Sequence, residues 1–526
     1  MLRRFFITLS SAALVALCVS VLFAFLPMSC EGTPEVSENV KKTGTASEIS
    51  VSDAVTDASG FDDLSFLCDG DLLTGYSSDG SACLTAEYSG GIGSLYFIYY
   101  SEYGEYAVTD NDTGKTKTVG QGSFLHDFID LADLFGHAPS SVTVSWDSGP
   151  VAINEMYVFT LGEAPDYVQQ WELPAEGGAD MILFSTHGDD EQLFFAGILP
   201  YYANALGCRV QVVYLTNHRN NSDSRVHEML NGLWAVGCTI YPVFGSFSDF
   251  LYDSIEKTYS VFETQGVSRD DIIEFCVGQI RRFKPLVIVA HDFDGEYGHG
   301  QHMVYADCVA AALEISNDAS YFPDSADEYG AWDVPKAYFH LYDENQIVMD
   351  WDTPMEELGG MTPFEVTQKL GFPCHVSQQW TWFNGWINGK GTAITKASEI
   401  EYYSPCLYGL YRSTVGPDVE KNDFFENLIT YGEAEAAQNR QNSHRILENK
   451  RLEMPADASS GSNESLASPT ETDIQTETAP SGGVSDENDG IGRIAELFAA
   501  GAALFAVGAA ALCMILRERR QQRTKK

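Results

Sequence analysis

Residues 181–191 read Met181-Ile-Leu-Phe-Ser-Thr186-His187-Gly188-Asp189-Asp190-Glu191. The opening run is apolar without alternation, as in a strand buried on both faces. It passes straight into one imidazole and three carboxylates. Downstream the pattern repeats. Glu191 to Leu206 is helix-like, and Val210 to Thr216 is a second apolar strand. Ser224–Val236, Asp270–Phe283 and Met303–Leu313 carry helical spacing, while Ile240–Phe244 and Pro285–Ala290 read as strands. Strands joined by helices imply a parallel sheet covered on both faces. Such sheets gather chemistry at the carboxyl ends of their strands.

A second polar cluster sits at such an end: Ala290-His291-Asp292-Phe293-Asp294-Gly295-Glu296-Tyr297-Gly298-His299-Gly300-Gln301-His302. Two parallel strands can bring both clusters to one place. Two histidines and one aspartate then offer a mixed nitrogen and oxygen site that suits Zn²⁺, with one position open to water. Taken singly, Asp189 or Asp190 would be explained by capping a helix N-terminus, and His299 or His302 by a polar helix start. His291 and Asp292 read as residues that orient ligands. Asp294 either binds a sugar hydroxyl or makes a turn with Gly295.

Together these segments resemble a known family. His187-Gly188-Asp189-Asp190-Glu191 resembles the His-Pro-Asp-Asp-Glu signature of the LmbE/PIG-L N-acetylglucosaminyl deacetylases, and Tyr297-Gly298-His299-Gly300-Gln301-His302 resembles their Tyr-Gly-His-x-x-His element. Arg225-Val-His-Glu228 is similar to the Arg-x-x-Glu helix of the family, and His375-Val-Ser-Gln378 to a later His-x-Ser-Gln stretch. The resemblance implies His187, Asp190 and His302 as metal ligands, Asp189 as general base, and His299 and Tyr297 as stabilisers of the transition state. His299 as a cation would then protonate the departing amine. Arg225, Asp294 and His375 are the candidates for holding substrate, although Arg225 and Glu228 also read as an ordinary helical ion pair. One departure stands out: Gly188 replaces the family's proline, which should loosen the loop. One Zn²⁺ per chain is expected, with another divalent metal as the alternative.

The chain has 526 residues, with 75 acidic against 31 basic and a formal net charge of −44. That balance excludes a protein that grips nucleic-acid phosphates. The expected fold class is α/β: a Rossmann-like, mostly parallel sheet with helices on both faces over 175–440, preceded by a smaller β-sandwich over 61–165. The sandwich is read from Ser94–Tyr100, Ser141–Trp146 and Ile153–Thr160, separated by Gly, Asp and Ser clusters. Its opening, Leu67-Cys68-Asp69-Gly70-Asp71-Leu72-Leu73-Thr74-Gly75-Tyr76, resembles discoidin-like, galactose-binding modules, which either bind sugars or pack against a catalytic partner.

Residues 1–30 read as a signal peptide or signal anchor, 31–60 as a linker and 455–490 as a disordered Ser/Thr/Glu tether. Residues 494–516 read as a transmembrane helix, and 517–526, with six basic residues, as a cytoplasmic tail. The catalytic region is then extracytoplasmic on a cell membrane, where disulfides are permitted. Cys68 with Cys83 and Cys374 with Cys406 are pairs by proximity only. No Cys-x-x-Cys, Gly-x-Gly-x-x-Gly, P-loop or Gly-x-Ser-x-Gly is present, which disfavours a zinc ribbon, a dinucleotide site and a serine hydrolase. Trp380, Trp382, Phe383 and Trp386 are either a sugar-stacking group or local core.

The leading expectation is a membrane-anchored zinc deacetylase. It would hydrolyse the acetamide of N-acetylglucosamine-type sugars or glycoconjugates. A non-catalytic carbohydrate-binding surface protein and a zinc amidase on a non-sugar amide are the rivals.

Overall fold

The computed structural model describes residues 42–218 and 223–438. The expected signal segment, tether, membrane helix and basic tail lie outside the described residues. No helix among the described residues is long and apolar enough to cross a membrane.

The first part is a sandwich of two antiparallel five-stranded sheets. One sheet orders Glu48–Ile49, Ala152–Phe159, Ser94–Tyr99 and His126–Asp130, with Tyr76–Ser77 also paired to Ala152–Phe159. The other orders Val55–Ser59, Ala82–Glu87, Ser141–Trp146, Tyr106–Asp110 and Lys115–Val119. Period-two burial drives the packing: Val142, Val144 and Trp146 point inward while their neighbours stay half exposed. Trp146 stands edge-on to Phe97 at 5.4 Å and stacks on Tyr106 at 5.6 Å. The sandwich begins before residue 61. Part of the expected linker is paired into it, because Ile49, Val51 and Ala54 bury their side chains. These apolar residues are too sparse among Ser, Thr and Asp to show a period.

The second part is a seven-stranded mixed sheet. Its strands are β1 (Met181–Ser185), β2 (Val210–Thr216), β3 (Val243–Phe247), β4 (Val287–Ala290), β5 (Lys336–His340), β6 (Gln346–Val348) and β7 (Leu407–Ser413). The order is β3-β2-β1-β4-β5-β7-β6, parallel through β5, with β7 antiparallel to β5 and β6. Alternate residues of β1 feed two cores: Met181 and Leu183 join one, Ile182 and Phe184 the other. The main helices are α1 (Asp223–Ala235), α2 (Ile255–Thr264), α3 (Arg269–Phe283) and α4 (Gly300–Ile315).

Two expected elements differ. Glu191 to Leu206 is not one helix but a 3-10 turn (Asp190–Gln192) and a wide π-type turn (Leu199–Ala205). Gly197 lies between them at φ 92°, and a Cβ there would fall 2.5 Å from the Trp351 ring. β3 starts at Val243 rather than Ile240, because the main chain at Ile240 and Tyr241 pairs with Glu172 and Pro242 lacks a donor; the Tyr241 hydroxyl donates to the His126 carbonyl of the sandwich. The outer face of α1 completes that junction: Val226 and Leu230 sit in the sandwich's own apolar cluster, and Gln169 donates to Asn231 at 2.7 Å. Cys68, Cys83, Cys374 and Cys406 carry free thiols, so neither pairing expected from proximity is formed. Cys374 instead donates to the Leu370 carbonyl.

Candidate functional site

β1 and β4 are adjacent, and the strand order reverses between them. Their carboxyl ends therefore open a crevice at the point where such sheets bind ligands. The 187–191 loop enters it from β1. The 291–302 segment enters from β4 and ends in α4, which His299 caps by accepting the Gln301 amide on Nδ1 at 3.3 Å. Tyr297 holds a left-handed backbone, φ 47° and ψ 23°. That conformation costs energy in a non-glycine residue and marks a constrained turn.

Three donor atoms converge there. His187 Nδ1 lies 3.2 Å from Asp190 Oδ2 and 3.1 Å from His302 Nε2, and Asp190 Oδ2 lies 3.3 Å from His302 Nε2. A tetrahedral metal with bonds of about 2.0–2.2 Å would hold its donors about 3.4 Å apart, so the residues present fit a metal. Two wider groupings also converge, His187 with His299 and His302, and Asp190 with His291 and His302. His291 is excluded as a ligand by its partners: Nε2 accepts the Thr186 amide at 3.0 Å, and Nδ1 donates to Glu296 at 2.9 Å.

The two aspartates live in different fields. Burial opposes ionisation of Asp190, but His302 and His187 hold its carboxyl well below the usual range. Burial raises Asp189, and the neighbouring charge of Asp190 adds to this, while Arg225 opposes it from 3.2 Å. Burial, then His187 and His302, push His299 down to about 2. Its Nδ1 accepts the Gln301 amide, so the proton of its neutral form sits on Nε2. Burial and the nearby aspartates raise the Tyr297 hydroxyl, which stays a donor.

Several supporting residues escaped the sequence reading. Glu296, wholly buried, accepts Nδ1–H from His302 at 2.7 Å, from His291 at 2.9 Å and from His340 at 2.6 Å. It fixes the His302 tautomer so that Nε2 faces the donor triangle. His218 Nε2 accepts the Gly188 amide at 3.0 Å, and Asp249 lies 3.5 Å from His187 Nε2. His340 stands at the end of β5 and was findable by the strand-end rule. His218 and Asp249 each lie two residues past the end of a parallel strand, β2 and β3, so the same rule reaches them, but each stands outside any cluster of imidazoles and carboxylates.

The remaining candidates divide. Arg225 joins Asp189, Glu228 at 2.9 Å and Ser377 at 3.0 Å. His375 is fully buried, 3.1 Å from Glu191 and 3.4 Å from Arg225. It thus props the residues behind Asp189 and offers no surface to a substrate. Asp294 is exposed, and its amide bonds to Asp292 Oδ1 at 3.1 Å, a local turn completed by Gly295 at φ 66°. Gly188 does not loosen the loop. Its amide is held by His218, a bond proline cannot make, and Met229 occupies the space a Cβ would take, at 2.3 Å.

Residues 182–313 match the PIG-L family, described as GlcNAc-PI de-N-acetylase. A 1D-myo-inositol 2-acetamido-2-deoxy-α-D-glucopyranoside deacetylase of Saccharopolyspora erythraea is 31% identical over 205 residues, 35% of this chain and 72% of that relative. The chain belongs to the PIG-L de-N-acetylase family. A second such deacetylase, from Catenulispora acidiphila, is 25% identical over 212 residues, 36% of this chain, and the chain spans 64% of its length. Among solved structures, the N,N'-diacetylchitobiose deacetylase from Pyrococcus horikoshii matches at 14% identity and a TM-score of 0.28, over 44% of this chain and 83% of that one. That score is too low to bear on the reading. Within this PIG-L unit, His187, Asp189, Asp190, Tyr297, His299 and His302 all fall inside the matched residues.

Proposed function

We propose that this chain is a metal-dependent N-deacetylase that hydrolyses the acetamide of N-acetylglucosamine-type sugars. The observation that carries this is the donor triangle of His187, Asp190 and His302, with the next carboxylate along the chain, Asp189, held apart by Arg225. A divalent metal held by that triangle, for which imidazole and carboxylate donors suit zinc, would polarise the amide carbonyl and acidify a water. Asp189 cannot easily share the triangle's focus with its sequence neighbour, because adjacent side chains diverge. It is placed to take the water's proton, and Arg225 fixes its orientation. His299, whose Nδ1 accepts the Gln301 amide and so leaves Nε2–H to donate, and Tyr297, a protonated phenol, are donors for the developing oxyanion. One such donor is typically worth about 3–4 kcal/mol. The water oxygen bonds the carbonyl carbon as Asp189 takes its proton; the tetrahedral adduct then collapses, the C–N bond breaks, Asp189 returns that proton to the leaving nitrogen, and acetate and free amine result.

A membrane location is part of the same reading. It is supported by the uncharged run of residues 497–516 followed at once by the basic residues 517–526, and by the apolar run 5–26 after Arg3 and Arg4. The large acidic portion between them would be extracytoplasmic.

The Asp189→Asn variant tests the catalytic assignment. It should keep its metal and lose about 10²–10⁴-fold in kcat for acetate release. Turnover at the unaltered rate would overturn Asp189 as the base.

A further inference from the structure

We propose that the aromatic surface at the mouth of this crevice binds the sugar rings next to the reacting one, so that the substrate is a neutral N-acetylated glycan chain rather than a single sugar on a small aglycone. The inference rests on the deacetylase reading above.

An unbroken aromatic path leads from the donor triangle to solvent. Tyr297 lies 5.6 Å from the His302 ring and 5.4 Å from the His299 ring. Trp382 stands edge-on to Tyr297 at 5.4 Å and packs against Phe383 at 4.3 Å. Phe383 turns inward to Phe194, and so does Trp386. Those two are local core. Trp380 is different: it is 89% exposed. It sits between Ser377, which is hydrogen-bonded to Arg225 and Glu228, and Trp382, which touches Tyr297. Both ends of that short segment are thus tied to the site, and the indole between them faces water. Tyr402, 76% exposed, is tied to this segment through its carbonyl, which accepts the Trp386 indole N–H at 3.0 Å.

A second segment with exposed apolar groups also reaches the donor triangle. Asp249 reaches His187, and on the same segment Leu251 is 72% and Tyr252 39% exposed. That segment is held to the start of α4 by the Gly300 amide, which donates to the Tyr252 carbonyl at 2.8 Å, and by the Phe250 amide, which donates to Gln301 at 3.0 Å. Large apolar groups grouped at a cleft mark a ligand groove. Indole and phenol rings present flat apolar faces, and the C–H face of a pyranose is their natural partner. An anionic glycan would meet the field of a chain with net charge −44, so a neutral chain is the better occupant.

Acetate release from N-acetylglucosamine and its β-1,4 oligomers of two to five rings tests this. kcat/KM should rise with length. Trp380→Ala should lower the pentamer-to-monomer ratio of kcat/KM by roughly three- to tenfold, the value of one aromatic contact, and Trp380→Phe should restore most of it. A ratio near one at every length, with acetate released, would overturn the chain-binding inference and leave the deacetylase reading intact. Calorimetric titration of the Asp189→Asn protein with the pentamer separates the opposite case. Length-dependent binding lost in Trp380→Ala, with no acetate from any oligomer in the wild type, would keep the glycan surface and overturn the deacetylase reading. Neither binding nor acetate would overturn both.

Discussion

Asp189 and Asp190 are chain neighbours with opposite surroundings. His187 and His302 close around one, while Arg225 meets the other from the far side. Two carboxylates kept apart in this way can serve two roles, one holding charge and one moving a proton. Glu296 extends the same logic. Its single carboxylate receives three histidine N–H groups and so orients His302 directly and, through His291 and the Thr186 amide, the loop that carries His187. Glu296→Gln should weaken metal binding by about 10–100-fold, as loss of such outer partners does, measured by competition with a chromogenic chelator. Unaltered affinity would remove Glu296 from the account. His302→Ala should leave the purified protein without stoichiometric metal, read by elemental analysis. At this scale the meeting of the two clusters was legible, because both stood where parallel strands end, while the choice of His187, Asp190 and His302 among their residues came from the family resemblance. Glu296 was written inside one of those clusters, yet its role needed β5 in place to bring His340 to it. Asp249 needed the register of β3 against β2.

The start of α4 sets the position of two site histidines, and its packing is tight. A Cβ on Gly300 would lie 2.1 Å from Thr258 Oγ1 and 2.8 Å from the Ser254 carbonyl of the segment leading into α2. Gly300→Ala should therefore cost about 1–3 kcal/mol of stability and displace His299 and His302. Thermal unfolding and a metal titration on the variant check this, and wild-type values in both would contradict it. The strands β1, β2 and β4 and the helices α1, α3 and α4 could be read from the sequence because uninterrupted apolar runs alternate with 3.6-residue periods, whereas the parallel strand β5 and the helix α2 were not read. The segment after β1 could not be read, since Gly197 and its approach to Trp351 depend on residues more than a hundred positions away. The edge strands at 48–59 are two to five residues long and hold few apolar positions.

Over the molecule as a whole, the sandwich is seated on α1, the helix that supplies Arg225 and Glu228. Val226 and Leu230 on that helix, with Tyr241, belong to the sandwich's apolar cluster. Deletion of residues 42–165 should uncover that face, lower the melting temperature of the remaining α/β unit and promote its self-association, measured by scanning calorimetry and light scattering. A monomeric fragment with the full-length melting temperature would show that the two parts are independent. The sandwich was legible as short alternating strands. Its contact with α1 was not, because Val226 and Leu230 read equally well as the inner face of an amphipathic helix.

The central claim is a metal-activated deacetylation at the triangle of His187, Asp190 and His302. Metal content and acetate release from N-acetylglucosamine oligomers, measured on one preparation before and after chelation, test it most directly. The account predicts about one divalent metal per chain and acetate release that chelation abolishes and added zinc restores. Acetate release that persists at full rate in the metal-free protein would contradict it.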